Sequence, residues 1–126
     1  MTLMSTTVPL LVFEAADCLM AIPAAEVAHL EGADPRFTDI ESRVAFDLGQ
    51  YFSGCESDGP WLHWARGPRN AWLRVIRVID VVPIALSALT PMPARLGGNR
   101  RTGAFLAAGV RGDHVFLLLD PARLAP

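Results

Sequence analysis

Trp61, Trp64 and Trp72 crowd the middle of the chain, and an arginine-rich stretch, Arg95 to Arg101 (RLGGNRR), follows later. These are the side chains whose types point most directly to binding. Indoles are common anchors of protein interfaces. Arg95, Arg100 and Arg101 carry the charge needed to grip an anion or a nucleic-acid backbone. Both groups also have a plainer reading, since indoles fill cores and arginines beside Gly and Asn sit in solvated loops. The net charge of −2 argues against nonspecific nucleic-acid binding.

Covalent and metal chemistry find less support. Cys18 and Cys55 stand apart without a CxxC, so two reduced thiols are expected and not a zinc or redox site. The Ser-Gly step in YFSGC lacks the Gly-x-Ser-x-Gly frame of a nucleophile elbow. No His-x-x-x-His or Glu-x-x-His spacing offers metal ligands, and Gly97-Gly98 is not followed by the Lys-Ser/Thr of a phosphate loop. The expectation is a protein without catalytic residues, metal or cofactor. Asp47, just before Leu48 and Gly49, suits a helix cap better than a general base. His29 offers a pH-sensitive contact or simply a surface histidine. Val27 and Leu30 read as buried core residues.

The chain that must position these residues has 126 residues, 52% hydrophobic and 19% charged, enough apolar material for the core of one domain. The uncharged runs Met1 to Phe13 and Val81 to Ala94 are too short to cross a bilayer, and the second is broken by Pro83, Pro91 and Pro93. The first basic residue is Arg36, so the apolar start lacks the positive flank of a secretory signal and a cytoplasmic location is expected. Charge is divided along the chain: residues 1 to 60 sum to −8 and residues 61 to 126 to +6, every basic residue being arginine. Such a split can orient docking.

Periodicity is mostly two, in short runs bounded by turn residues, which reads as β structure. Val8 to Ala15 and Leu19 to Ile22 form a hairpin around Ala16-Asp17-Cys18. Ala24 to Glu31 reads as a helical turn running into a strand. Val44 to Leu48 is a strand followed by a short helix, and Ser53 to Pro60 a connection. Trp61 to Arg66 and Ala71 to Val78 flank Gly67 to Asn70, and Thr102 to Val110 and Val115 to Leu119 flank Arg111 to His114. In HVFLLLDPARL both faces of the strand are apolar, and Asp120-Pro121 then switches it to a helical turn. So many short strands in a small chain call for closed or nearly closed barrels. A strand apolar on both faces then lines a barrel on one side and packs on a second element with the other.

In the tail AFLAAGVRGDHVFLLLDPARL, the opening LLVFEAADCLMAIPAAEVAHL, the segment VAFDLGQYFSG and the stretch WLRVIRVIDVVPIALSAL, in that order, the sequence resembles CheW-like domains, the adaptor modules of bacterial chemosensory arrays. The resemblance covers most of the chain. It implies an all-β fold of two small five-stranded SH3-like barrels around a shared hydrophobic seam, with short helical turns after Leu48 and at the C-terminus. A single domain over 1–126 is expected, the first barrel at about 16–54 and the second from 1–15 and 60–126. The implied role is a scaffold without chemistry, binding the cytoplasmic tip of a methyl-accepting chemoreceptor and the regulatory domain of a histidine kinase or another CheW-like protein.

Two departures bear on that role. Only 20 positions separate Val27 from Asp47, so the family's longer passage with its Gly-x-x-x-x-Arg-Gly loop is missing and the first barrel is abbreviated. His29 stands where the family has an acid, so that acid and the loop arginine are lost together, which leaves neither charge unpartnered. Weakened or lost coupling to the kinase is therefore expected. The expected partner-binding residues are Val27, His29, Leu30, Trp61, Trp64 and Trp72, with Arg95, Arg100 and Arg101 as candidate anion ligands. Two alternatives remain: an anion or nucleic-acid binding barrel, and a self-assembling structural protein whose acidic half docks on a neighbour's basic half.

Overall fold

The computed structural model describes residues 6–31, 44–92 and 102–124, and strand dominates them. Strands β1 (Thr7–Ala15) and β2 (Cys18–Pro23) form the first hairpin. Ala16 and Asp17 form its turn with φ of 52° and 62°, the left-handed pair that matches the twist of the flanking strands. A 3-10 turn (Ala24–Glu26) leads into β3 (Val27–Glu31). Strand β4 (Val44–Asp47) runs into helix α1 (Leu48–Ser53). Strands β5 (Trp61–Arg66) and β6 (Arg69–Arg74) meet at a two-residue turn with Gly67 at φ 58°, tighter than the four-residue loop expected over 67–70. Then come β7 (Arg77–Ala85), a 3-10 turn (Leu86–Ala88), β8 (Thr90–Pro91) and another 3-10 turn (Thr102–Ala104). Strands β9 (Phe105–Arg111) and β10 (His114–Leu119) close the series, followed by the turn Pro121–Arg123.

The strands form two sheets, in the orders β7-β1-β2-β10-β9-β8 and β3-β5-β6-β4. All-β architecture in two small sheets and both helical turns are as expected, and among the described residues the sheets hold six and four strands. The division of the chain differs from 16–54 against the remainder. Strands β3 to β6, spanning 27–74, make the smaller sheet, while β1, β2 and β7 to β10 make the larger one. The tight Ala16-Asp17 turn keeps β2 beside β1. The β5–β6 hairpin goes to the smaller sheet because it pairs with β3 on one side and β4 on the other. The chain recrosses at Val75 and Ile76: Val75 N donates to Pro60 O at 3.0 Å and Ile76 N to Glu14 O at 2.8 Å, one bond toward each sheet.

Alternation assigns the apolar residues to two cores. From the larger sheet, Leu11, Phe13, Met20, Ile22 and Leu119 join Phe46, Leu48, Leu62, Trp64, Leu73 and Val75 of the smaller unit in one core between the sheets. On the opposite face Leu10, Val12, Ala21, Ile84 and Phe116 enclose a second core that belongs to the larger sheet alone. Strand β10 explains the doubly apolar HVFLLL: Phe116 and Leu118 face the second core, Leu117 and Leu119 the shared one. Such a strand must lie inside its sheet, and β10 does, parallel to β2 and antiparallel to β9. Pro9 is tolerated within paired β1 because it faces Pro83, and pairing with β2 begins only at Leu10.

Candidate functional site

The smaller sheet carries most of the residues singled out for binding. Trp61, Trp64 and Trp72 are all buried, at most 9% exposed, so they build the sheet and do not form an exposed aromatic patch. Strand alternation accounts for this. Trp64 enters the shared core with Leu62, while Trp61 and Trp72 take the other face, where the Arg74 guanidinium lies 5.6 Å from the Trp61 ring centroid. There the His63 ring stacks on Trp72 at 4.6 Å, and His29 meets the same indole edge-on at 6.5 Å. Val27 packs against the shared core, whereas Leu30, on the same strand, is 50% exposed. Of the six expected contact residues, Leu30 and His29 are thus the ones that reach solvent. Arg95, Arg100 and Arg101 lie outside the described residues.

A polar network missing from the expectations joins the two sheet units. Glu26, in the turn before β3, accepts from Trp64 Nε1 at 2.7 Å and from Arg66 Nε and Nη2, both at 3.0 Å. The same Arg66 donates through Nη1 to Asp120 at 3.2 Å. Asp120 in turn caps the last turn, accepting from Ala122 N at 3.1 Å. Its capping role was legible in DPARL. The Glu26–Arg66 pair is 40 residues apart in sequence and leaves no local signal.

Burial pushes the Glu26 carboxyl up, but hydrogen bonds from Arg66 and Trp64 and the Arg66 charge outweigh it and hold the pKa below the ordinary 4.5. A depressed acid stabilises the fold above its unfolded pKa and loses that contribution as pH falls through the folded value. Stability should therefore drop on acidification below about pH 4.5. Glu26→Gln should flatten this drop in urea titrations at successive pH values. Because Arg66 is 43% exposed, solvent screening limits the effect to about 1 kcal/mol.

Asp47 is the expected cap: it accepts from Gln50 N at 3.2 Å, and its two oxygens accept from Ser57 N at 3.0 and 2.9 Å, tying the following loop to α1. Cys18 and Cys55 are free and exposed. Among the described residues no three His, Cys, Asp or Glu side chains come together as a metal site, and no helix is long and apolar enough to cross a membrane. The exposed large apolar side chains there are Leu30, Val81, Leu86, Val110 and Val115. This geometry offers surfaces for contact.

No family model matches the chain, and no curated protein matches it in sequence. Among solved structures it is similar to the crystal structure of the scaffolding protein TtCheW from Thermoanaerobacter tengcongensis. The two superpose with a TM-score of 0.68 over 90% of this chain and 89% of that one, at 16% sequence identity. The likeness is one of fold: both are all-β with the CheW-like arrangement of SH3-like sheets.

Proposed function

We propose that this chain is a chemosensory scaffold that docks a chemoreceptor's cytoplasmic tip through the exposed side of β3 and couples weakly or not at all to the histidine kinase. The observation that carries the reading is the two-sheet fold similar to a scaffolding protein, with its apolar residues spent on two cores and Leu30 left half-exposed on an edge strand. An aliphatic side chain so placed suits the apolar flank of a helical hairpin. The short passage between Val27 and Asp47, and the loss of an acid–arginine pair where His29 stands, support the weakened kinase contact. The protein would then limit or insulate the pathway from a cytoplasmic position, without catalysis.

A pull-down against a chemoreceptor cytoplasmic fragment and a kinase regulatory domain tests both halves. Receptor retention is expected and should fall at least tenfold in Leu30→Asp, a surface change that leaves the fold intact. Kinase binding as tight as that of a full-length adaptor would refute the insulating role. Absence of receptor binding would remove the scaffold reading.

A further inference from the structure

The shared core does not end where the smaller unit stops covering it. Val110 and Val115 face each other across β9 and β10 and, at 65% and 61%, are the most exposed large apolar side chains among the described residues. Alternation puts Val115 on the face of Leu117, which belongs to the shared core. Leu117 pairs with Met20, so Cys18, also exposed, stands next in register beside Val115. Cys18, Val115 and Val110 thus form an apolar stripe running out from under the interface between the sheets.

Asp17, the residue before Cys18, lines an open cavity of about 370 Å³ together with Glu56, Asp58, Ala16, Cys55 and Ile76. None of the three acids is ion-paired among the described residues. The arginines of this end are used elsewhere. Arg77 binds Glu14 at 2.8 Å and Arg111 binds Asp80 at 3.7 Å, and strand alternation turns these residues to the sheet's other face. Arg74 reaches the same loop but donates to Gly59 O at 3.3 Å and lies over Trp61. An apolar stripe with an acidic hollow near its end, whose carboxylates carry no salt bridge among the described residues, complements one kind of ligand.

We propose that the Cys18–Val115–Val110 stripe and the Asp17/Glu56/Asp58 hollow form a second docking face that takes an amphipathic helix carrying lysine or arginine beside apolar side chains. Apolar contacts seat the helix on the stripe, and one cationic side chain enters the hollow. This face is separate from Leu30 and would make the protein bivalent whatever occupies the β3 side.

The probe is a synthetic leucine–lysine amphipathic helix, titrated into the isotope-labelled full chain, with its leucine–glutamate counterpart as control. Expected are shifts centred on Asp17, Cys18, Val110 and Val115 and affinity at least tenfold higher for the lysine peptide, falling as salt rises. Val115→Ser and Glu56→Gln, both exposed, should each weaken binding severalfold, and Leu30→Asp should not. Equal affinity for the two peptides, or shifts elsewhere, would overturn the proposal. So would a concentration-dependent mass in light scattering abolished by Val115→Ser, which would give the stripe to a second copy of the chain.

Discussion

Phe116→Ala is expected to lower the unfolding free energy by about 3–5 kcal/mol, the usual range for deleting a fully buried phenyl ring. The side chain is 0% exposed and belongs to the core enclosed by the larger sheet, with Leu10, Val12, Ala21 and Ile84 around it. Across β9 it faces Gly109, where a Cβ would collide with the phenyl ring and press on Leu89. Glycine there leaves the space the ring occupies, and with no side chain of its own it cannot help fill the cavity left by alanine. The adjacent Val115→Ala change should stay within about 0.5 kcal/mol, because that side chain is already in solvent. Urea midpoints at unchanged slope would measure both. A Phe116 loss below about 1 kcal/mol would mean the larger sheet is not rolled around this ring.

The same residue shows which parts of the fold were legible. A strand apolar on both faces must be buried on both, and that argument from HVFLLL led directly to a sheet with one private core and one shared core. Asp47 and Asp120 were readable as caps because the acceptor and the turn it serves lie within three residues of each other. The grouping of strands was not readable. The β5–β6 hairpin alternates as any amphipathic hairpin does, and nothing local says that its partners are β3 and β4. Burial of the three tryptophans was open for a related reason: an indole on a strand is core or interface according to what covers it, and for Trp64 that is the other sheet while Trp61 and Trp72 meet Arg74, His63 and His29 on the opposite face. Leu30 was identifiable as a candidate only through resemblance, and its exposure came from the structure. Val110 and Val115 escaped notice because valine on a strand reads as core. Among the described residues they are nonetheless bare.

Gly59→Ala is expected to destabilise by about 2–3 kcal/mol through overpacking, although a reader of the sequence would take Gly59 for ordinary loop flexibility. A Cβ there would fall inside contact distance of the Val75 and Ile76 carbonyl oxygens. These are backbone atoms at the point where the chain passes from the smaller sheet to the larger. They cannot swing aside as a flexible side chain would, because Val75 N and Ile76 N are bonded to Pro60 and Glu14. Gly54 supplies the contrast. Its φ of 78° needs glycine for conformation, but a Cβ meets nothing within 4 Å, so Gly54→Ala should cost only about 1 kcal/mol of left-handed strain. Denaturation of the two variants separates close approach from backbone freedom, and equal losses would remove the close-approach account. The loop between the two glycines carries Glu56 and Asp58, so shifting Gly59 should also displace the acidic hollow. In Gly59→Ala, binding of the lysine peptide should weaken at protein concentrations and temperatures where the chain is still folded, while Gly54→Ala keeps its affinity. The crossover that divides the chain between two sheets thereby also sets the position of the second docking face.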